Sequence, residues 1–144
     1  LADAATVDSP RPARILLVGV GGIGGSLAAA LQVHAGTLIE ELVPLTRNEA
    51  VAHSISERGF VLRGVDGVRE VPGQVWTQLP DDGRPFDFIF LATQPPQVEE
   101  AARTALPLLA EDGRFVCFQN GLCEDRIAAV AGVEPALNFP HVVI

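Results

Sequence analysis

The sequence predicts a doubly wound α/β domain on a mostly parallel sheet, and three kinds of observation carry that prediction. The first is a set of short apolar runs: Arg14-Ile15-Leu16-Leu17-Val18, Phe86 to Ala92, and Arg114 to Phe118. Continuously apolar strands are buried on both faces, which is the habit of parallel sheets. The second is alternation, because segments with helical spacing separate these runs. The third is Gly19-Val20-Gly21-Gly22-Ile23-Gly24, which directly follows the first run and leads into a helix-like segment, Ser26 to Val33.

The elements follow in order. A second strand is predicted near Glu41 to Thr46, where Pro44 points to an irregular or edge strand, since proline cannot donate to a ladder. Asn48 to Arg58 reads as a short helix with Asn48 as N-cap and Gly59 as its stop. Phe60 to Arg63 and Val68 to Val71, parted by Gly64 and Asp66-Gly67, read as a β-hairpin. Val75 to Leu79 reads as another short strand, and Pro80 to Pro85 as a polar loop.

The strand Phe86 to Ala92 is followed by a predicted helix from Pro96 to Ala110, with Val98, Ala101, Ala102, Ala105, Leu106 and Leu109 near helical spacing. After the strand Arg114 to Phe118, Cys123 to Ala131 reads as helical. Ala136 to Asn138 and His141 to Ile144 suggest a final strand.

The 144 residues are enough for a single domain with a proper core, here from residue 14 to 144 behind a flexible leader, 1 to 13. Hydrophobic residues make up 48% and charged residues 19%. No apolar run approaches the ~20 residues that span a bilayer, and the first residues lack the basic and apolar regions of a signal peptide. The expected setting is cytoplasmic, with no membrane partner. A net charge of −8 argues against nucleic acid, which needs a basic surface. Cys117 and Cys123 are expected to be reduced thiols, no Cys/His spacing suggests zinc, and His34, His53 and His141 are scattered, so no metal ligand is assigned.

The glycine string is the strongest chemical signal. Gly19 permits a tight turn, Gly21 has no side chain to keep a pyrophosphate from the backbone, and Gly24 lets helix and strand pack closely. Val20, Gly22 and Ile23 complete the loop, whose phosphate ligand would sit on N–H groups at a helix N-terminus. In a doubly wound sheet ligands lie beyond the carboxyl ends of the strands. Two further loops there, Thr93-Gln94-Pro95-Pro96-Gln97 and Gln119-Asn120-Gly121, join the candidate site. An acid at the end of the second strand selects NAD, whereas an arginine accommodates the 2′-phosphate of NADP. Thr46-Arg47-Asn48 occupies that place, so NADP is the expected cofactor, with Arg47 as the phosphate fork and Thr46 and Asn48 adding hydrogen bonds.

These residues resemble a known family. Arg14 to Gly25, Leu45-Thr46-Arg47, Ser56 to Arg63, Phe88 to Gln94 and Gln119-Asn120-Gly121-Leu122 are similar to the N-terminal domain of ketopantoate reductase, or 2-dehydropantoate 2-reductase, from about Arg14 onward. The resemblance implies NADPH-dependent reduction of a 2-oxo acid to a 2-hydroxy acid in pantothenate biosynthesis. It implies that Gly19 to Gly24 hold the pyrophosphate, Arg47 the 2′-phosphate, and that Thr93 and Gln94 lie by the cofactor. Asn120 would stand near both the nicotinamide ribose and the substrate. The expected partners are that 2-oxo acid and a second copy of the chain.

Two departures stand out. The family usually carries a lysine where this chain has Gln94. Its helical C-terminal domain, which supplies the general-acid lysine, is not present before Ile144, so the chain reads as a fragment or shortened homologue. All ten basic residues other than histidine are arginines, and no catalytic residue is assigned. Two other readings stay open: a stand-alone nucleotide-binding or sensing module without catalysis, and an S-adenosylmethionine methyltransferase, against which Arg47 counts.

Overall fold

A computed structural model describes residues 11–65, 67–121 and 123–132. A parallel sheet of four strands forms the centre, in the order β2-β1-β5-β6, with β1 spanning Ala13–Val18, β2 Ile39–Leu45, β5 Phe86–Leu91 and β6 Leu109–Cys117. A separate antiparallel hairpin joins β3, Phe60–Gly64, to β4, Gly67–Val71. The helices are α1 at Gly22–His34, α2 at Glu49–Arg58, α3 at Val98–Ala105 and α4 at Glu124–Ala131.

The strand alternation sorts the core onto two faces. Leu16, Val43, Ile89, Leu91 and Phe115 pack with Val98, Ala102 and Ile127 of α3 and α4. Leu17 of β1, on the opposite face, packs with Ala28 and Ala29 of α1 and with Phe60 and Val71 of the hairpin. Helices thus lie on both sides of the sheet, as a doubly wound fold requires. On the α1 side Phe88 keeps 37% of its surface exposed, so cover by the described residues is incomplete over β5.

Several elements match the sequence reading closely. Asn48 caps α2, its side chain accepting from the N–H groups of Ala50 and Val51, and Gly59 ends it at φ 77°. Pro44 lies in an edge strand. Its carbonyl turns away from β1 to accept from Trp76 N–H at 2.8 Å, and its missing N–H faces that same outer side.

Other elements differ. Helix α1 begins at Gly22 rather than Ser26, so the second half of the glycine string, Gly22 to Gly24, is already in its first turn. Val75 to Leu79 is no strand: one parallel bridge joins Trp76 to Leu45. The helix predicted to reach Ala110 ends at Ala105, because Pro107 has no N–H for the next i→i−4 bond. A 3₁₀ turn over Leu106–Leu108 follows, and Leu109 and Ala110 already belong to β6. The predicted final strand, and His141 with it, lie outside the described residues.

The amino ends of the strands are held by charge. Arg14 is 2% exposed, stacks on the Phe86 ring at 4.4 Å, and pairs with Glu41 and Asp82. Asp87 accepts from the Arg14 N–H at 2.8 Å and pairs with Arg11. This network lies at the end of the sheet opposite the glycine loop and ties β1 to β2, to β5 and to the loop that carries Asp82.

Candidate functional site

The carboxyl ends of β1, β2, β5 and β6 are stitched together by main-chain bonds. Gly19 N–H donates to Leu45 O at 2.9 Å, Ala92 N–H to Val18 O at 2.9 Å, and Phe118 N–H to Leu91 O at 3.0 Å. These bonds bring the three predicted loops to one end of the sheet. Gly19 turns at φ 101°, with Ala92 so close that a Cβ would stand 2.8 Å from its backbone. That contact holds the β1 and β5 loops side by side.

A cleft of about 680 Å³ opens there. Gly19, Val20 and Gly21 form its floor, Thr46 and Arg47 one wall, and Thr93 and Gln94 the base of the other. Gly22, Ile23 and Gly24 stand just behind it in the first turn of α1, where Gly22 lines a smaller hollow beside the hairpin. Asn120 is exposed in the turn after β6 and does not line the cleft. The structure thus brings together seven of the eleven predicted site residues, and sets Asn120 apart at the same sheet end.

The wall facing Arg47 was anticipated only at Gln97, in the Thr93 to Gln97 loop; Glu100, Ala101 and Thr104 were not among the predicted site residues. Gln97, at the end of a 3₁₀ turn over Pro95–Gln97, and Glu100, Ala101 and Thr104 of α3 line it at i, i+3, i+4 and i+7 spacing. That spacing was visible in the sequence, but nothing local says which helix face meets a cleft. Thr77, Gln78 and Leu79 close the mouth, held by the Trp76 bridge, a contact that sequence spacing does not carry.

The site fits a phosphate-bearing dinucleotide on its geometry. Helix α1 has no side-chain cap at Gly21 and no acid in its first turn, so its N–H groups and dipole stay open to an anion. A Cβ at Gly21 would meet nothing within 4 Å, so this edge of the loop opens to the cleft. By contrast the N-terminus of α2 is closed by Asn48, whose Oδ1 is engaged by two N–H groups. Thr46 Oγ1 accepts from Asn48 N–H at 3.2 Å, keeping its own hydrogen as a donor. Gln119, 5% exposed, lies beneath the loops: its Nε2 reaches Thr93 Oγ1 at 3.4 Å, and its Oε1 has no partner among the described residues. A buried orphan acceptor costs about 1–3 kcal/mol unless a donor reaches it.

Two buried thiols flank the last loop. Cys117 ends β6 and Cys123 precedes α4, and neither is bonded. Burial, reinforced by Glu124 and Cys123, pushes the Cys117 thiol up to about 11, so it is a packing group rather than a nucleophile.

Parallel strands, a glycine turn entering an uncapped helix and a cleft at the strand ends define a Rossmann-type α/β domain. The chain belongs to the ketopantoate reductase PanE/ApbA family, whose sequence profile matches residues 15–138. No curated protein matches it. Among solved structures it is similar to a PanE/ApbA family ketopantoate reductase from Ralstonia eutropha JMP134, with TM-score 0.64 at 18% identity over 90% of this chain and 39% of that one. It is similar to D-mandelate dehydrogenase solved with NADH and anilino(oxo)acetate, with TM-score 0.67 at 21% identity over 81% of this chain and 37% of that one. Glycerol-3-phosphate dehydrogenase from Coxiella burnetii gives TM-score 0.66 at 16% identity, covering 93% and 41%. At these identities the likeness is one of fold. The chain spans 37–41% of the length of these three proteins.

Proposed function

We propose that this chain is the NADPH-binding domain of a ketopantoate-reductase-like oxidoreductase that reduces a 2-oxo acid to a 2-hydroxy acid. The observation that carries the reading is Arg47, standing past the end of β2 on the cleft wall where an NAD-binding domain would present an acid. The N–H groups of the Gly21–Gly24 turn would hold the pyrophosphate. Arg47, with the Thr46 hydroxyl, would hold the 2′-phosphate. Thr93 and Gln94 would line the path toward the nicotinamide, and Asn120 would meet its ribose and the substrate, its amide both donating and accepting. When bound, the reduced nicotinamide supplies the hydride.

Gln94 sets the chemistry at the second loop. It hydrogen-bonds without charge, so a carboxylate or phosphate there is held less strongly than by a cation. The same reading assigns the chain to pantothenate biosynthesis in the cytoplasm, with a 2-oxo acid and a second copy of the chain as partners. A second reading is a nucleotide-binding module without chemistry, which tight NADPH binding by a stable, monodisperse 144-residue protein would favour. Turnover of ketopantoate by the 144-residue chain would end that second reading.

Calorimetric titration with NADPH and NADH tests the cofactor. Arg47→Ala is expected to weaken NADPH by about tenfold to a hundredfold, the worth of a charge-assisted phosphate contact, and to leave NADH unchanged. Equal binding of both cofactors that Arg47→Ala does not alter would show the 2′-phosphate assignment to be wrong.

A further inference from the structure

Two charged side chains line the cleft among the described residues, Arg47 and Glu100, and they are paired with each other. Arg47 Nη1 donates to Glu100 Oε1 at 2.9 Å. The pair crosses the cleft, from the loop after β2 to the first turn of α3. Its members are 69% and 63% exposed, so the link is solvated and weak enough to exchange. No other side chain takes up the Arg47 guanidinium among the described residues. Nearby, Asn48 Oδ1 caps α2 and Thr46 Oγ1 accepts from Asn48 N–H, and neither bonds to the guanidinium.

We propose that Glu100 is a specificity-determining residue: its carboxylate occupies Arg47 in the free protein, and discrimination between phosphorylated and unphosphorylated cofactor is set by competition between Glu100 and the 2′-phosphate. This rests on the reading of Arg47 as the phosphate anchor. A ribose 2′-hydroxyl makes no demand on the guanidinium, so NADH binds with the pair intact. Glu100 holds only Nη1 of the guanidinium, so a 2′-phosphate either displaces the carboxylate from that nitrogen or takes the remaining donors beside it, and in both cases the two anions share one cation within a few ångströms. The cleft therefore carries its own counterweight to NADPH preference, on the opposite wall from the arginine that creates it.

Glu100→Gln keeps the length and hydrogen-bonding capacity of the side chain and removes its charge, at a position exposed enough not to disturb folding. Calorimetric titration of NADPH and NADH into wild type, Glu100→Gln, Arg47→Ala and the double variant tests the proposal. Glu100→Gln is expected to tighten NADPH about threefold to tenfold, to leave NADH within about twofold, and to lose its effect in the Arg47→Ala background. The gain shrinks as salt rises, because the charges involved are exposed. If Glu100→Gln leaves the NADPH-to-NADH ratio unmoved, or tightens both cofactors equally, while Arg47→Ala lowers that ratio, the proposal is overturned and the Arg47 reading survives. If Arg47→Ala leaves the ratio unmoved, the Arg47 reading itself has failed.

Discussion

Gly24 has less room than any other described glycine: a Cβ there would stand 1.9 Å from Gly19 O. Gly21, three residues earlier in the same string, has open space around the place a Cβ would take, at an extended φ of −93° that alanine adopts freely. The two therefore separate packing from binding. Gly24→Ala is expected to cost about 3 kcal/mol or more, through forced displacement of α1 from the β1 turn, and a thermal melt will read it. Gly21→Ala is expected to keep the wild-type melting temperature and to lose NADPH binding in a titration, since its methyl group enters the space proposed for the pyrophosphate. Both glycines were legible as a motif. Their different duties were not, because those depend on the distance between a helix and a turn. Asn48 and Gly59 were legible outright, since a cap bonds only to N–H groups two and three residues on.

The sheet's amino edge shows how elements are registered. Burial pushes the Asp87 carboxyl up, but the Arg14 N–H and the Arg11 guanidinium outweigh it and hold the group below its ordinary value of 3.8. A carboxylate with a lowered folded value contributes stability that is complete above the ordinary value and drains away as pH falls through the lowered one. Wild-type stability is thus expected to fall below about pH 4, and Asp87→Asn to flatten that fall while costing about 1 kcal/mol at neutral pH. Denaturant unfolding of both proteins between pH 3 and pH 7 measures each effect. Helix α3 shows what spacing alone misreads. The apolar positions run on past Ala105 at helical intervals, yet Pro107 ends the hydrogen bonding and the following leucines serve a turn and a strand.

Across the whole molecule, the two faces of the sheet carry separate apolar clusters, and the cleft lies where both meet the strand ends. Ile89, fully buried on the α3 and α4 face, stands in β5 between β1 and β6. Ile89→Ala is expected to cost about 2–5 kcal/mol in urea unfolding, by lost burial and the cavity left behind. A smaller loss, under about 1 kcal/mol, would mean that the face repacks around the gap. The sequence by itself determined the doubly wound class, the glycine turn and the arginine beyond β2, because each is written in the period of apolar residues or in the stereochemistry of a few neighbours. The far wall of the cleft, the Arg47–Glu100 pair and the buried Gln119 emerge only on folding. They join residues tens of positions apart, and no local spacing encodes which helix face the closing sheet turns toward a loop.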